Sequence, residues 1–132
     1  MKDELTVLQA KRFGVFSCKK SQTLGEVVHR MVDEDISTLI VVDDEGSLAG
    51  IITRTDLLRA YIEQEDWRSQ PVMSFMKRDV VAVPPSTLLS QVAKLLLNKQ
   101  IHRVVVVREE EGKRIPLSVV SAADLIYHMA KE

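Results

Sequence analysis

The chain contains two copies of one sequence pattern, separated by a constant 65 residues. The matched positions are mostly apolar: Val7, Val15, Ser21, Val27, Ile36, Val41 and Val42 recur as Val72, Val80, Ser86, Val92, Ile101, Val106 and Val107. Beyond these positions the offset grows by three, so that residues 53–57 align with residues 121–125. The extra residues belong to the charged stretch 108–114, where a hairpin tip absorbs them at little entropic cost. A tandem repeat predicts two similar units that bury one face against each other and leave paired clefts between them.

Length and composition predict one compact domain built from both copies. With 132 residues the chain has a common single-domain size, whereas one copy of about 65 residues would be marginally stable alone. The formal net charge of −1 gives no excess positive charge for nucleic acid or an anionic membrane, so neither partner is expected. A single cysteine and a charged rather than apolar N-terminal stretch favour a cytoplasmic location.

Each copy is predicted to run strand, helix, strand, strand, helix. A short strand at residues 15–16 precedes the first helix of copy one. The apolar stripe of that helix is Leu24, Val27, Val28 and Met31, and its counterpart in copy two is Leu89, Val92, Ala93 and Leu96. This is the spacing of an amphipathic helix with one buried face. Ser86, which follows two prolines, is the expected capping residue of the copy-two helix.

The middle of each copy is predicted to be a β-hairpin. Its strands are residues 39–42 and 48–52 in copy one, and residues 104–107 and 116–120 in copy two. The β-branched runs lack polar alternation, which is typical of strands covered on both faces. A closing helix follows at residues 56–62 and again at residues 124–129. Placing the join at the proline-containing stretch between the copies gives repeats of residues 1–66 and 67–132.

Two segments of the chain resemble a known family. Residues 50–56, Gly-Ile-Ile-Thr-Arg-Thr-Asp, and the lead-in at residues 72–76 look like parts of a pair of cystathionine β-synthase (CBS) domains, often called a Bateman module. The family pattern is glycine, two apolar residues, Thr or Ser, two variable residues and Asp. Copy one matches it throughout, whereas copy two has Ser118 at the glycine position. The resemblance implies an α/β (α+β) fold of two tandem CBS repeats packed with pseudo-two-fold symmetry.

The resemblance also implies that this motif binds an adenine nucleotide, with the hydroxyl and the acid contacting phosphate and ribose. The residues so assigned are Thr53, Arg54, Thr55 and Asp56 in copy one, and Ser121 and Asp124 in copy two. Independently of the family, a hydroxyl at the start of a helix lies near free backbone N–H groups, which suit an anion. The same spacing resembles a capping box, which would stabilise the helix without any ligand. Both interpretations stay open.

A basic pair opens the middle strand of copy two. His102 and Arg103 resemble the pair that nucleotide-sensing family members present toward ligand phosphates, and arginine offers a fixed fork of donors for phosphate. Ser37 and Thr38 hold these places in copy one, so the copies are not expected to bind phosphate equally. The alternative is that the basic pair is simply solvated. Residues of the first strands are also assigned to the ligand site, namely Ser17, Cys18, Lys19, Ala82 and Val83.

No catalytic or metal-binding set is expected. Cys18 is interpreted as a packing residue, because no histidine and acid stand near it in sequence to activate it. Three scattered histidines and one cysteine make no recognisable ligand pattern, and His128 is expected to face water. Without a nucleophile, base and orienting group, an enzyme is disfavoured. Met73, Phe75 and Met76, at the lead-in to copy two, are expected in the core.

These observations predict a stand-alone regulatory module that binds AMP, ADP or ATP between its repeats and signals to an effector protein of unknown identity. Two other functions stay open: a homodimeric interaction scaffold without a ligand, and a sensor of S-adenosylmethionine. A homodimer is expected because the closing helices carry more apolar side chains than one buried face requires. Those side chains are Leu57, Leu58, Tyr61, Leu125, Ile126 and Met129.

Overall fold

The computed structural model describes residues 5–10 and 14–132, and these form two compact units. The first unit is Phe16–Val80. The second unit combines Val81–Glu132 with the described residues that precede the first unit. Each unit contains one three-stranded sheet together with helices, which confirms the predicted mixed fold class.

Helices and strands follow one another in the same order in both copies. The helices are α1 Val7–Ala10, α2 Leu24–Asp33, α3 Arg54–Glu63, α4 Leu89–Lys99 and α5 Ala122–Met129. The strands are β1 Ser17–Lys19, β2 Thr38–Val42, β3 Leu48–Thr53, β4 Ala82–Val83, β5 Arg103–Glu110 and β6 Lys113–Ser121. Single 3₁₀ turns at Trp67–Ser69 and Val72–Ser74 lie between α3 and β4.

The two sheets have the same strand pairing. β1 runs parallel to β2, and β2 runs antiparallel to β3; β4, β5 and β6 repeat this arrangement. The predicted order of strand, helix, strand, strand, helix is therefore confirmed in both copies. The predicted position of the first strand, residues 15–16, is wrong by two residues. The parallel ladder instead pairs Ser17 with Ile40, which brings Cys18 into the core.

Helix α2 buries three of the four residues of its predicted stripe and begins with a complete capping box. Leu24, Val27 and Met31 are buried. The Glu26 N–H donates to Oγ1 of Thr23 at 3.3 Å, and the Thr23 N–H donates to Oε1 of Glu26 at 3.3 Å. These reciprocal bonds satisfy two backbone donors that the helix itself leaves unpaired.

Helix α4 begins differently from the sequence prediction. Residues 84–87 form a turn in which the Thr87 N–H donates to the Pro84 carbonyl at 3.1 Å, so the helix starts only afterwards. The Leu88 N–H donates to Oε1 of Gln91 at 2.9 Å. The prediction that Ser86 caps this helix is therefore wrong, and the Gln91 amide takes that role.

The two hairpins differ in length. In the turn between β2 and β3, Gly46 has a φ of 81°. β5 and β6 stay paired out to Glu110 and Lys113, and Glu111 and Gly112 make the turn with φ of 49° and 80°. Two consecutive positive φ angles are typical of tight two-residue hairpins. The extra residues of copy two fall in the predicted stretch, but they lengthen the ladder and do not form the longer tip that was expected.

Each unit also contains the segment that precedes the other copy in the chain. In the first unit, the Val72 N–H donates to the Gln22 carbonyl at 2.8 Å, and the Leu24 N–H donates to the Gln70 carbonyl at 2.9 Å. Val72 is fully buried there. The turns before β4 are therefore packed on copy one, although they lead into copy two.

The second unit repeats these bonds at positions 65 residues away. The Val7 N–H donates to the Thr87 carbonyl at 2.8 Å, and the Leu89 N–H donates to the Leu5 carbonyl at 2.9 Å. Val7, like Val72, is fully buried. The exchange of segments is thus part of the repeat itself. The boundary between repeats 1–66 and 67–132 stays a prediction about the sequence, since the spatial units follow the exchange.

Each unit has its own apolar core. The first-unit core is Cys18, Leu24, Val27, Met31, Leu39, Val41, Ile52, Ala60, Val72 and Met76; the second-unit core is Val7, Ala10, Val83, Leu89, Val92, Leu96, Val104, Val106, Val120 and Leu125. Phe75 packs against the first core beside Met76, as predicted. Met73 is 40% exposed, so its predicted burial is wrong. Within the turn Val72–Ser74, Val72 takes the buried place instead.

Gly50 permits a close backbone crossing beside β3. The Ile51 N–H donates to the Lys77 carbonyl at 2.9 Å, and the Lys77 N–H donates to the Ile51 carbonyl at 2.8 Å. A Cβ on Gly50 would lie 2.5 Å from the Lys77 carbonyl oxygen and 3.0 Å from Sδ of Met76. The motif glycine is therefore required by the chain's own joining segment, residues 76–80, which leads from the first unit into the second.

Replacing Gly50 by alanine should destabilise the protein. We expect Gly50→Ala to lower the free energy of unfolding by about 1–3 kcal/mol, the usual cost of forcing extra atoms into a tight contact. Urea denaturation followed by circular dichroism measures this difference. Gly14→Ala is the matched control, since a Cβ at Gly14 has no atom within 4 Å. Equal stability of the two variants would contradict the close crossing.

Candidate functional site

In the first unit, the predicted motif lies where β3 ends and α3 begins. Thr53 is the last residue of β3, and Asp56 lies in the first turn of α3. The N–H and Oγ1 of Thr53 both donate to Oδ2 of Asp56, at 2.8 and 3.0 Å. Asp56 is fully buried and Thr53 is 8% exposed. The buried carboxylate therefore links the end of β3 to the first turn of α3.

The hydroxyl–acid pair at this junction has the arrangement of a capping box. At α2, the hydroxyl of Thr23 accepts a hydrogen bond from the helix backbone and also donates to the Glu26 carboxylate, and that of Thr53 likewise donates to its acid. The second unit repeats this, with Ser121 N–H and Oγ donating to Oδ2 of Asp124 at 2.8 and 3.2 Å. Capping thus accounts for the position of the acid in both units.

Ser37 and Thr38 lie at the same edge of the first sheet as the motif. Thr38 is the ladder partner of Thr53, and the Arg54 N–H donates to the Ser37 carbonyl at 3.2 Å. Oγ1 of Thr38 is buried and has no hydrogen-bond partner within the described part of the chain. Because a buried hydroxyl without a partner is destabilising, this position suits a polar atom of a ligand.

Two cations that the sequence did not assign to the site contact the buried acid. Nη1 of Arg59 and Nζ of Lys77 each lie 3.2 Å from Oδ1 of Asp56. The Arg59 contact could be anticipated, since residues three apart on a helix are neighbours. The Lys77 contact could not, because the joining segment returns to Asp56 from far along the chain.

Arg54 and Thr55, also predicted site residues, are exposed on the first turn of α3. Nη2 of Arg54 lies 3.8 Å from Oδ1 of Asp35, and both side chains are largely in solvent. An exposed pair of this kind contributes little to stability. The Arg54 guanidinium can therefore exchange its partner at small cost.

The second unit brings its motif together with the basic pair. Arg103 is the ladder partner of Ser121, and the Ala122 N–H donates to the His102 carbonyl at 3.1 Å. Asp124 is only partly buried, unlike the fully buried Asp56 of the first unit. Among residues 5–10 and 14–132, no carboxylate forms an ion pair with the Arg103 guanidinium. An arginine side chain without an acidic partner among these residues is suited to bind an anionic ligand.

The predicted first-strand residues lie farther along the sheets. Cys18 and Lys19 are ladder partners of Val41 and Val42, whereas Thr38 begins the same strand. At about 3.3 Å per residue, three and four positions along the strand separate Cys18 and Lys19 from the motif edge by roughly 10 and 13 Å. The remaining pairs are Ser17 with Ile40, Ala82 with Val105 and Val83 with Val106. The structure thus groups Thr38 with Thr53 and Asp56, but not Cys18 or Lys19.

Cys18 is a packing residue, as predicted. It is 3% exposed and belongs to the first-unit core. Burial raises the pKa of its thiol to about 11, although the nearby Arg30 charge opposes this in part. The thiol therefore stays protonated and unreactive near neutral pH.

The burial of Cys18 can be tested by thiol labelling. We expect the native protein to react very slowly with Ellman's reagent at pH 8 and to react stoichiometrically in urea, because Cys18 is the one cysteine of the chain. Since burial raises the folded-state pKa to about 11, stability should fall as the pH rises from the ordinary thiol range through that value. Cys18→Ser is the unlabelled control, and rapid native labelling at pH 8 would contradict the buried position.

The position of Ser118 tests the alignment of the two copies. Ser118 is 3% exposed and lies opposite Val106, just as Gly50 lies opposite Val41. The sequence alignment of the two motifs is therefore confirmed.

The expectation that His128 faces water is wrong, since its ring is partly buried and Nε2 lies 3.2 Å from the Ala10 carbonyl oxygen.

The described residues contain neither a metal-binding cluster nor a membrane-spanning helix. Within residues 5–10 and 14–132, no group of three or more His, Cys, Asp and Glu side chains is placed to hold a metal ion. In the same ranges, no helix has both the length and the apolar character needed to cross a bilayer.

Family comparison agrees with this architecture. The model of the CBS domain matches the chain twice, at residues 11–63 and 72–131. The chain belongs to the CBS domain family. The two matches confirm the resemblance stated from the motif residues and make the chain a tandem CBS module.

Relatives of this CBS pair are mostly longer proteins. The transcriptional repressor CcpN of Bacillus subtilis is 32% identical over 121 residues, which make up 83% of this chain and 53% of the repressor. The CBS pair thus spans about half of that relative, and 38–65% of the first three curated relatives.

Two solved structures show the same fold. One is a CBS domain pair in complex with 5′-methylthioadenosine and S-adenosyl-L-methionine, with a TM-score of 0.81, 21% identity and 96% of each chain covered. The other is CBSX2 in complex with AMP, with a TM-score of 0.81 and 20% identity, covering 96% of this chain and 97% of that one.

Proposed function

We propose that this CBS pair is a regulatory module that binds adenine-containing nucleotides, such as AMP, ADP or ATP, and signals to an effector protein without catalysis of its own. One observation carries the proposal: each unit brings its hydroxyl–acid motif to the same sheet edge as a polar pair at the start of the middle strand. Thr38 adjoins Thr53 in the first unit, and Arg103 adjoins Ser121 in the second.

The chemistry of this edge suits a nucleotide. The carboxylates of Asp56 and Asp124 can accept hydrogen bonds from a ribose diol, and the start of the helix favours a phosphate. The buried hydroxyl of Thr38, which has no partner among the described residues, adds an atom that a ligand would satisfy. AMP in CBSX2 is the same class of ligand on a related fold.

A sensor of S-adenosylmethionine is the second candidate, supported by the CBS pair that was solved with that ligand. The two ligands share adenosine and differ in charge, since AMP carries an anionic phosphate and S-adenosylmethionine carries a cationic sulfonium. The Arg103 guanidinium favours the phosphate. An interaction scaffold without any ligand is the third candidate, and it predicts that neither compound binds.

Arg103 is the test residue for the nucleotide proposal. We expect Arg103→Ala to weaken AMP and ADP by roughly 1.5–3 kcal/mol, which is about tenfold or more in affinity, because a charge-assisted phosphate contact is lost. Adenosine, which has no phosphate, should bind nearly as before. Titration calorimetry at fixed ionic strength measures both, since salt screens exposed charges.

The matched control is Arg108→Ala, which removes the same charge from the same strand, where Arg108 pairs with Glu110 at 3.0 Å. If Arg103→Ala weakens adenosine as much as the nucleotides, the phosphate assignment is wrong. If wild-type protein binds S-adenosylmethionine but no nucleotide, the second candidate replaces the first.

We also propose that the module is a homodimer formed through its helices. Leu58, Tyr61, Ile126 and Met129 are 66%, 63%, 60% and 52% exposed, whereas Leu125 belongs to the second core. In the first unit, α2 and α3 border a mostly apolar groove of about 640 Å³. Its lining is Val28, Met31, Val32, Asp35, Arg54, Leu57, Leu58, Tyr61 and Trp67. Clustered exposed apolar side chains favour association.

Light scattering tests the dimer. We expect wild-type protein to have twice the chain mass of 14.9 kDa at micromolar concentrations, and Leu58→Glu to shift it toward the monomer because a charge would be buried at the interface. Thr55→Glu places the same charge on a polar, exposed position of α3 and should leave the mass unchanged. A wild-type mass equal to one chain would contradict the proposal.

A further inference from the structure

The side chain of Lys77 ties the buried acid of the first unit to the joining segment. The Lys77 backbone exchanges two hydrogen bonds with Ile51, at 2.9 and 2.8 Å, so its position is fixed. From there its ammonium reaches Oδ1 of Asp56 at 3.2 Å. The joining segment then continues into the Val81–Glu132 part of the second unit.

The contacts of the Asp56 carboxylate are divided between its two oxygens. Oδ2 accepts both donors of Thr53, and Oδ1 lies beside Arg59 and Lys77. The acid has no exposed surface, while the Arg59 and Lys77 side chains are 48% and 53% exposed. The two cations therefore form its cover. A ligand hydroxyl can approach Oδ1 only if one of them moves.

The two cations differ in how they are held. Arg59 lies on the same helix as Asp56, one turn later, so that it moves together with the acid. Lys77 comes from another segment and ends in a flexible four-carbon chain with a compact charge. Lys77 is therefore the cation that can leave without disturbing α3.

Displacing Lys77 has an electrostatic consequence. A buried carboxylate needs charged or hydrogen-bonding partners, and a ribose diol supplies two neutral hydroxyl donors in place of one ammonium. The displaced ammonium then lacks an anionic partner. A ligand with a phosphate supplies such a partner, whereas a nucleoside does not.

We propose that Lys77 is a specificity-determining residue of the first-unit site: it covers Asp56 in the empty protein and makes the site favour nucleotides over nucleosides. This inference rests on the proposed nucleotide binding. The strand-start residues of the first unit, Ser37 and Thr38, carry no positive charge. Lys77 supplies the cationic partner for a phosphate in that unit. Lys77 also anchors the joining segment. When its ammonium exchanges Asp56 for a ligand phosphate, ligand binding is therefore coupled to the position of that segment.

The test compares AMP with adenosine in wild type and Lys77→Met, with binding followed through the backbone amide resonances of Ile51 and Thr53, which report the first unit. We expect the preference for AMP over adenosine to fall roughly tenfold in Lys77→Met, as for loss of a charge-assisted contact. Adenosine itself should bind at least as tightly as in wild type, since nothing charged has to leave Asp56.

Two variants control for charge and for folding. Arg78→Met removes the same charge from the neighbouring position, where Arg78 donates to the Met73 carbonyl, and should keep the wild-type preference. Lys77→Arg retains the charge and should also keep it. If Lys77→Met does not fold, Lys77→Gln removes the charge while retaining a hydrogen-bond donor, and the same loss of preference is expected.

The outcomes separate this inference from the proposed function. If AMP binds wild type and the preference is unchanged in the neutral Lys77 variants, the Lys77 assignment is wrong while nucleotide binding stands. Equal weakening of AMP and adenosine also overturns it, since that result indicates a purely structural lysine. If wild type binds neither compound in either unit, the proposed function is wrong and the inference falls with it.

Discussion

A carboxylate without any exposed surface holds together the most distinctive part of this molecule. Asp56 fixes the end of β3 through Thr53, the first turn of α3 through its own place in the helix, and the joining segment through Lys77. An acid buried in this way is stable only while its oxygens are fully engaged. The geometry of the strand–helix junction therefore depends on a set of contacts that a polar ligand is also able to make.

The two units differ in the side chains that surround the same motif. In the first unit two cations stand next to the acid, and the strand-start position has the hydroxyl of Thr38. In the second unit Arg103 stands at the strand start, and Tyr127 takes the place of Arg59. The duplicated motif has thus kept its backbone frame while side chains around it have diverged. The two units are therefore not expected to bind a ligand equally.

Much of the fold follows from the sequence because the repeat and the apolar periodicity report burial directly. The α2 and α4 stripes, the two hairpins and the motif positions are all visible as residue patterns. The errors have local causes: the start of α4 depends on a turn at residues 84–87, and the first strand depends on its partner β2. The grouping of Thr38 with Thr53 follows from the hairpin register. Lys77 was missed because no local pattern indicates a contact between distant segments.

The exchanged segments have a consequence for the order in which the two units form. Leu5 and Val7 are synthesised well before their hydrogen-bond partners, Leu89 and Thr87. They therefore have no native partner until residues 87–89 have left the ribosome. Copy one can acquire its own borrowed segment, around Val72, earlier. The first unit is thus expected to form before the second during translation.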